Sequence, residues 1–256
     1  MFELNYIKYE IHDDGVAFIN LNRNSVNSIN IKYINELDKV INDISNSQNV
    51  KIVVFRSLQK HFCAGADLKE RKNMTEQETL EFIEKINQTF NKIEDLKIPT
   101  IASIHGAALG GGLELALCCD FRVASESSLL GLTETSLGII PGAGGIFRLL
   151  NLIGLSKSKY WIFSAQKFSP EKAYEDGVVD FLSKNDELLG VTLELAQEVL
   201  ENSPNAIKVS KEMISQIKKN RTKDLRVQFE SYKKVFTSKD KKEALKAFIE
   251  KRKPNW

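Results

Sequence analysis

The residues of clearest chemical interest follow a run of three glycines, Gly110-Gly111-Gly112, which leads directly into the helix-forming sequence LELAL. At the start of a helix the first backbone N–H groups have no intrahelical partner, and the helix dipole gives that end a partial positive charge. Glycine lets a ligand approach such a backbone closely. The pattern therefore predicts a site for an oxygen that gains negative charge during a reaction, which is the design of an oxyanion hole.

Glu114 comes two residues after the last of these glycines and would lie in the first turn of the helix. Taken alone, an acidic residue at that position most often serves only to balance the helix dipole. The glycine-rich segments contain no GxGxxG, and GxxxxGK[ST] is absent from the chain, so the fingerprints of dinucleotide-binding and P-loop proteins are missing. The glycines therefore favour a backbone site for an oxyanion over a cradle for phosphates.

The elements that must position this turn alternate between strand and helix along the first two-thirds of the chain. Apolar alternation and short buried runs predict strands at 3–12, 15–22, 51–57 and 99–105, and in FRVAS and VVDFL. Apolar spacing and capping signals predict helices at 31–46, at about 75–95 and from Ser169 to Gly177. Gly106–Gly112 is predicted as a continuous glycine-rich turn. The order indicates an α/β core over 1–185 and a helical C-terminal region over 186–256.

The bulk composition is that of an ordinary globular protein and argues against several function classes. The 256 residues are 42% apolar and 27% charged, and 36 basic against 34 acidic residues leave a net charge of +2. So weak a field gives no reason to expect a nucleic-acid partner. No apolar run is long enough for a membrane helix, and the three cysteines form no CxxC pair. We therefore expect a cytoplasmic protein with reduced thiols and no membrane contact.

Three segments carry a resemblance to a known family: FCAGADLKER at 62–71, HGAALGGGLELALCCDF at 105–121 and GLTETSLGIIPGAGG at 131–145. Together they resemble the crotonase family, also called the enoyl-CoA hydratase/isomerase family, and the resemblance covers nearly the whole chain. It implies an α/β fold built as a spiral of ββα units with a helical C-terminal oligomerisation region. It also implies a homo-hexamer, a dimer of trimers. An apolar stripe at helical spacing fits that region: Leu225, Phe229, Tyr232 and Phe236.

The resemblance also implies roles for individual residues. The backbone N–H groups of Ala66 and Gly111 would form the oxyanion hole for a thioester oxygen. Glu114 would activate water, and Glu134 would protonate the α-carbon of an enoyl-CoA. Hydration needs one group to take a proton and another to supply one. Family members that keep only the second glutamate tend toward double-bond isomerisation, so the pair favours a hydratase, with an isomerase as the alternative.

Coenzyme A is then part of the substrate, and the resemblance implies no further cofactor and no metal. Its adenine end would lie against the loop from Ala64 through Asp67 to Leu68, and Lys251, of the same or a neighbouring subunit, is a candidate partner for its phosphates. By residue type, Asp67 favours a role in fixing its own loop. Two departures bear on this substrate: NRNSVNSIN (22–30) lacks the family's usual proline, and GGIFRL carries Ile146 and Phe147 where two polar residues are usual.

Within the family the motifs look most like the methylglutaconyl-CoA hydratase branch, which would place the reaction in branched-chain amino-acid catabolism, with fatty-acid catabolism as the other setting. Some members of that branch bind AU-rich RNA through lysines on the helix here spanning 31–46. The matching positions are Asn35, Lys39 and Ser45, so only one lysine is present. An RNA-binding protein is therefore the weaker alternative, and its binding would fall steeply with salt.

Overall fold

The computed structural model describes residues 4–24, 26–220, 238–252 and 254–255. Its larger sheet has six strands in the order β1-β2-β3-β4-β6-β8, and a smaller sheet pairs β5 with β7. The strands are β1 (Ile7–Ile11), β2 (Val16–Leu21), β3 (Ile52–Ser57), β4 (Thr100–Ile104), β5 (Ala107–Leu109), β6 (Phe121–Ser125), β7 (Leu129–Gly131) and β8 (Phe181–Ser183).

Helices connect these strands and continue after the last one. They are α1 (Ile31–Asn46), α2 (Leu68–Arg71), α3 (Glu76–Glu94), α4 (Gly111–Ala116), α5 (Gly145–Phe163), α6 (Pro170–Asp176), α7 (Leu188–Leu200), α8 (Pro204–Asn220) and α9 (Lys239–Glu250). A short 3-10 helix spans Glu134–Leu137. The predicted α/β class and the predicted helices at 31–46, about 75–95 and Ser169–Gly177 are confirmed, the last with Ser169 as N-cap, Pro170 at its start and Gly177 at its end.

The sheet topology follows from the way the chain returns to it. β1 and β2 form the antiparallel hairpin that the sequence predicts, with Ile7 opposite Leu21. β2, β3, β4, β6 and β8 are all parallel, because each return runs through a helix or a long loop. After β3, β4 and β6 the chain first enters a second layer, formed by Cys63, β5 and β7. This repeated step from the large sheet to the small one is the spiral of ββα units.

The inner strands β2, β3, β4 and β6 are buried on both faces, as parallel strands usually are, whereas the edge strands β1 and β8 are largely exposed. Alternate residues such as Ile19 and Phe55 join the main core with α1 and α3, whereas Phe18 and Val54 pack against α7 on the other face. α7 is therefore the part of the predicted C-terminal region that packs directly on the sheet. The boundary at residue 185 stays a prediction, and the apolar stripe at Leu225, Phe229, Tyr232 and Phe236 lies outside the described residues.

The prediction of a continuous turn over Gly106–Gly112 is wrong. Its middle residues form β5, where the Leu109 N–H donates to the Cys63 carbonyl at 3.0 Å and the strand pairs with β7 on its other side. The chain bends only at the two ends, where Gly106 and Gly110 have φ of 58° and 52°. Because β5 has only three residues, its pairing partners decide its conformation, and they lie far away in sequence.

Asn27 connects the hairpin to the loop that begins the second layer. It is fully buried with φ 50°, a left-handed conformation that asparagine tolerates better than most residues. Its Nδ2 donates to Ser57 Oγ at 2.7 Å, to the His61 carbonyl at 3.0 Å and to the Phe62 carbonyl at 3.2 Å. One side chain therefore fixes the path of the chain just before Cys63. No helix in the described part of the chain is long and apolar enough to cross a membrane.

Candidate active site

The start of α4 and the loop after Cys63 lie side by side. A methyl group placed on Gly111 would be 3.7 Å from the Ala66 nitrogen and 3.7 Å from the Gly65 Cα. Gly110 is the N-cap residue of α4, and its own N–H donates to the Gly131 carbonyl at 2.8 Å in β7. The two segments predicted to form an oxyanion hole, at Ala66 and at Gly111, are therefore brought together by the second layer.

The direction of the Ala66 N–H follows from its neighbours. The Gly65 carbonyl accepts from Ile29 N–H at 2.8 Å, and Asp67 N–H donates to the Ile29 carbonyl at 2.9 Å. In this parallel bridge Ala66 itself faces away from Ile29, toward the start of α4. Within the described ranges, neither the Ala66 N–H nor the Gly111 N–H has a backbone acceptor. Two adjacent unpaired donors at a helix N-terminus suit an oxygen with developing negative charge.

Glu114 is buried one turn further along α4, with 3% of its surface exposed. Its Oε1 accepts two hydrogen bonds, from the Ala143 N–H and the Gly145 N–H, each at 2.8 Å. A methyl group on Gly145 would lie 2.8 Å from that oxygen, so only glycine leaves room for the carboxylate here. A glutamate that only balanced the helix dipole from the surface would be neither buried nor held by a distant turn. The interpretation that Glu114 serves only this purpose is therefore wrong.

Glu134 begins the 3-10 helix and approaches the start of α4 from the other side. A methyl group on Gly110 would lie 3.0 Å from Glu134 Oε1, so this carboxylate lies against the N-cap of α4. Glu134 is 8% exposed, and its buried Oε2 has no hydrogen-bond partner among the residues described. The structure therefore brings the two glutamates, twenty positions apart in sequence, to the same end of one short helix.

Both carboxyl groups hold a proton more tightly than glutamate normally does. Burial raises the pKa of Glu114 to about 7 and the negative charge of Glu134 adds to the rise, against the hydrogen bonds from Gly145 and Ala143. Burial also raises the pKa of Glu134. A proton acceptor and a proton donor with pKa values moved toward neutrality can exchange protons with a substrate at physiological pH.

Sequence reasoning missed the residue that supports the turn holding Glu114. Arg148 is 4% exposed and donates from one guanidinium nitrogen to the Ala143 carbonyl at 2.7 Å. In the GGIFRL segment the two residues that depart from the family pattern, Ile146 and Phe147, are both exposed, and the buried residue is the arginine. An arginine inside an otherwise apolar helical run was the available signal, because a buried guanidinium must have several acceptors around it.

The comparisons with known proteins address the family directly. The sequence profile described as enoyl-CoA hydratase/isomerase matches residues 12–256. A probable mitochondrial enoyl-CoA hydratase 2 of Arabidopsis thaliana is 42% identical, over 94% of this chain and 81% of the relative. The chain belongs to the enoyl-CoA hydratase/isomerase family. The mitochondrial methylglutaconyl-CoA hydratase of Homo sapiens is 39% identical over 99% of this chain and 77% of that protein.

Solved structures confirm the crotonase fold that the motifs imply. The enoyl-CoA hydratase of Bacillus anthracis superposes with a TM-score of 0.94 at 39% identity, covering 98% of this chain and 99% of that one. The chain is accordingly an enzyme of the enoyl-CoA hydratase/isomerase family with the α/β fold predicted for it. The roles of its individual site residues stay predictions, which the geometry above supports.

The residues predicted to contact coenzyme A divide into two groups. Ala64 lies in the loop that leads to α2, where its N–H donates to the Val26 carbonyl, and Leu68 is the largely exposed first residue of α2. Asp67 lies between them, but its Oδ1 caps α2 by accepting from Lys69 N–H and Glu70 N–H. Lys251 is exposed after the end of α9, with φ 51°. Its contact with a substrate stays a prediction.

The Asp67 carboxylate shapes the loop. Its Oδ2 accepts from Arg23 at 2.6 Å, and Arg23 also donates to the Ser28 carbonyl at 2.6 Å. Burial alone would raise the pKa of Asp67, but the bonds from Arg23 and from the N–H groups of α2 outweigh it, so the pKa lies below its usual value. Asp67 is therefore a charged anchor that ties the oxyanion loop to the segment after β2, in agreement with its residue type.

Glu114 should lower the stability of the folded protein as the pH rises. Its pKa is about 7 in the folded state against an ordinary 4.5, so the folded state binds the proton more tightly. The free energy of unfolding then falls as the pH rises from 4.5 to about 7 and levels off above it. Glu114→Gln cannot ionise and keeps the accepting oxygen. We expect it to melt several degrees above the wild type at pH 8, where ~1 kcal/mol moves the Tm by roughly 2–4 °C.

Thermal unfolding at pH 5 and pH 8 checks this expectation, with Glu194→Gln as the control because Glu194 is exposed on α7. The difference between Glu114→Gln and the wild type should shrink toward pH 5. Equal melting temperatures at pH 8 would show that ionised Glu114 carries no penalty.

Proposed function

We propose that the protein adds water across the α,β double bond of an enoyl-CoA. The observation that carries the proposal is the pair of buried carboxyl groups, Glu114 and Glu134, on either side of the start of α4. A hydration needs one group to accept a proton from the water that adds to the β-carbon and another group to donate a proton to the α-carbon. The unpaired N–H groups of Ala66 and Gly111 lie beside them, where the oxygen of a thioester would gain negative charge.

The reaction follows from these positions in two proton transfers. A water molecule bonds to the β-carbon while Glu114 takes one of its protons, and the electron pair of the double bond moves onto the thioester oxygen. That enolate-like oxygen accepts from Ala66 N–H and Gly111 N–H, which are already in place and need no reorganisation. The α-carbon then takes the proton of Glu134 as the carbonyl re-forms. One molecule of water has been added, and the glutamates regain their starting states by exchange with solvent.

We also propose where the rest of the substrate lies. The coenzyme A would run along the segment from Ala64 to Leu68, which contains Ala66 and ends at the exposed first residue of α2. Lys251 is the proposed contact for the coenzyme A phosphates. The proposed cellular location of the protein is the cytoplasm. For the acyl group, methylglutaconyl-CoA is the leading proposal because the human relative is named for that substrate. Turnover of crotonyl-CoA beside 3-methylglutaconyl-CoA, followed spectrophotometrically, separates a short-chain hydratase from this branch.

Removing either carboxyl group should abolish most of the turnover. We expect Glu114→Gln and Glu134→Gln each to lower kcat for a good enoyl-CoA by at least about a hundredfold, the lower range for a positioned acid or base. Glu194→Gln is again the matched control, and product analysis should find the 3-hydroxyacyl-CoA. A folded single variant with near-wild-type turnover would remove that glutamate from the mechanism. A 3-enoyl-CoA product that needs only Glu134 would instead identify an isomerase.

Gly111 allows a direct test of the oxyanion donor. Its φ lies outside the left-handed region, so a side chain adds no backbone strain there. A methyl group would sit 3.4 Å from Ile29 Cδ1 and beside the Ala66 nitrogen, in the space proposed for the thioester oxygen. We expect Gly111→Val to lower kcat by ~10²–10³, the usual loss for one oxyanion donor.

The melting temperature of Gly111→Val, measured beside its activity, separates loss of the donor from misfolding. Gly190→Val is the control, because Gly190 lies in α7 with open space around its Cα and an ordinary φ. Unchanged stability together with unchanged kcat in Gly111→Val would exclude Gly111 as a donor.

We further propose that the protein is a homo-hexamer built as a dimer of trimers. Large apolar side chains are exposed along one stretch of the chain from the 3-10 helix through α5, which a monomer would leave in water. They include Leu137, Ile140, Phe147, Leu155 and Phe163. Light scattering at micromolar concentration should give six times the 29.0 kDa chain mass. A monomer mass under those conditions would contradict the proposal.

A further inference from the structure

The turn that holds Glu114 depends on one buried arginine. Arg148 lies one turn into α5, and its guanidinium reaches back to the segment before the helix, where NH1 donates to the Ala143 carbonyl at 2.7 Å. The Ala143 N–H donates to Glu114 Oε1 at 2.8 Å. The peptide planes around Ala143 therefore connect the guanidinium on one side to the carboxylate on the other.

The arginine is in turn fixed by α3. Its Nε donates to Glu94 Oε2 at 2.8 Å, and NH2 donates to Asn91 Oδ1 at 2.8 Å. Asn87, one turn earlier on α3, donates to the Gly142 carbonyl. A planar guanidinium with three separate acceptors has one permitted orientation, which a lysine could not reproduce. The same side of α3 therefore holds two successive carbonyls, those of Gly142 and Ala143, at the beginning of the turn.

Two glycines of the turn, Gly144 and Gly145, pack closely against the side chains of Arg148 and Glu114. A methyl group on Gly144 would lie only 2.2 Å from the Arg148 NH1, and one on Gly145 would lie 2.8 Å from Glu114 Oε1. Gly144 also has φ 89°, so the turn needs glycine for its conformation as well as for space. Arg148, the turn and Glu114 thus form three layers in van der Waals contact, and a shift of the first moves the last.

We propose that Arg148 is the positioning residue for Glu114: through the Ala143 carbonyl it aligns two N–H groups on Oε1, which orients the carboxylate so that Oε2 faces the reacting water. No hydrogen bond to Oε2 is found among the described residues, whereas Oε1 has both of its donors. Arg148 touches neither water nor substrate in this arrangement. The inference rests on the proposed role of Glu114 as the base of the hydration.

The charges around Glu114 give this role a signature in pH. Glu134 faces it from the 3-10 helix, Arg148 from α5 and Glu94 from α3 behind Arg148. Cys118, just after α4, donates its thiol to the Glu114 backbone carbonyl. The charge of Glu134 raises the pKa of Glu114, and the charge of Arg148 lowers it. Loss of Arg148 should therefore raise that pKa. Because Glu94 partly neutralises Arg148 through their ion pair, loss of the Glu94 charge should lower it.

The experiment compares Arg148→Gln, Arg148→Lys and Glu94→Gln with the wild type. We expect Arg148→Gln to lower kcat by about ten- to a hundredfold with KM changed far less, since misplacement of a catalytic group by ~1 Å can cost 10²-fold. The acidic limb of kcat/KM should move to higher pH in Arg148→Gln and to lower pH in Glu94→Gln. Arg148→Lys keeps the positive charge but not the planar guanidinium. Its kcat should therefore fall, while the acidic limb of kcat/KM should move less.

Arg122→Gln is the matched structural control. Arg122 is equally buried and donates to the Val178 and Cys119 carbonyls, but none of its hydrogen bonds within the described residues reaches the turn at 142–145. It should lower the melting temperature without moving the acidic limb. If the Arg148 variants behave in the same way, losing stability while kcat and the limb stay at wild-type values, the positioning role is wrong. Should Arg148→Gln fail to fold, the acidic limb of kcat/KM in Glu94→Gln decides instead. Its movement to lower pH supports the proposal, and an unchanged limb contradicts it.

A measurement independent of turnover separates this proposal from the proposed function. In protein labelled with carbon-13 at the glutamate carboxyls, the Glu114 signal is the one missing from Glu114→Gln, and its titration midpoint can be followed directly. A midpoint that rises in folded Arg148→Gln supports the positioning role even if the wild type hydrates no enoyl-CoA tested, in which case only the function fails. An unchanged midpoint in the folded variant overturns the positioning role whatever the turnover.

Discussion

Two carboxyl groups buried beside each other at the start of α4 are the constraint on which the rest of the site depends. Neither Glu114 nor Glu134 has a basic side chain as a direct hydrogen-bond partner among the described residues, and the hydrogen bonds to the Glu114 carboxylate come from peptide N–H groups. Such a pair is unfavourable in a folded core, and proteins tolerate it where the raised pKa values are useful. The charge of Arg148 lowers the pKa of Glu114, but its hydrogen bond reaches that carboxylate only through the Ala143 backbone.

The glycines around the pair follow from the same constraint. At Gly145 and Gly110 a side chain would occupy the space of a carboxylate, and at Gly112 a methyl group would lie 1.9 Å from the Cys63 carbonyl. These close approaches let β5, α4 and the oxyanion loop pack into a second layer that is thin enough to place both glutamates and both N–H donors together. The glycine-rich runs are thus required by packing around charged groups, and phosphate binding is not needed to explain them.

The large sheet and its helices provide the rigidity that this layer lacks. β5 and β7 have three residues each, and alone they would be too short to hold a site in place. Asn27 ties the oxyanion loop to β3, the Arg23–Asp67 ion pair ties it to the segment after β2, and α3 ties the turn at 142–145 through Arg148 and Asn87. Each anchor uses a polar side chain to join segments that are far apart in sequence.

Apolar periodicity, caps and three long motifs are local signals, so the sequence alone predicted the family, the α/β class, α1, α3, α6 and most strands of the large sheet. It did not predict the 19-residue helix α5. It also pointed to Glu114, Glu134, Ala66 and Gly111 through family resemblance. Three features follow only from packing in three dimensions: β5 is a strand, Glu114 is buried and held by Ala143 and Gly145, and Arg148 and Asn27 support the site. They depend on contacts between residues 22 to 57 positions apart, and such long-range contacts leave no periodic pattern in a sequence.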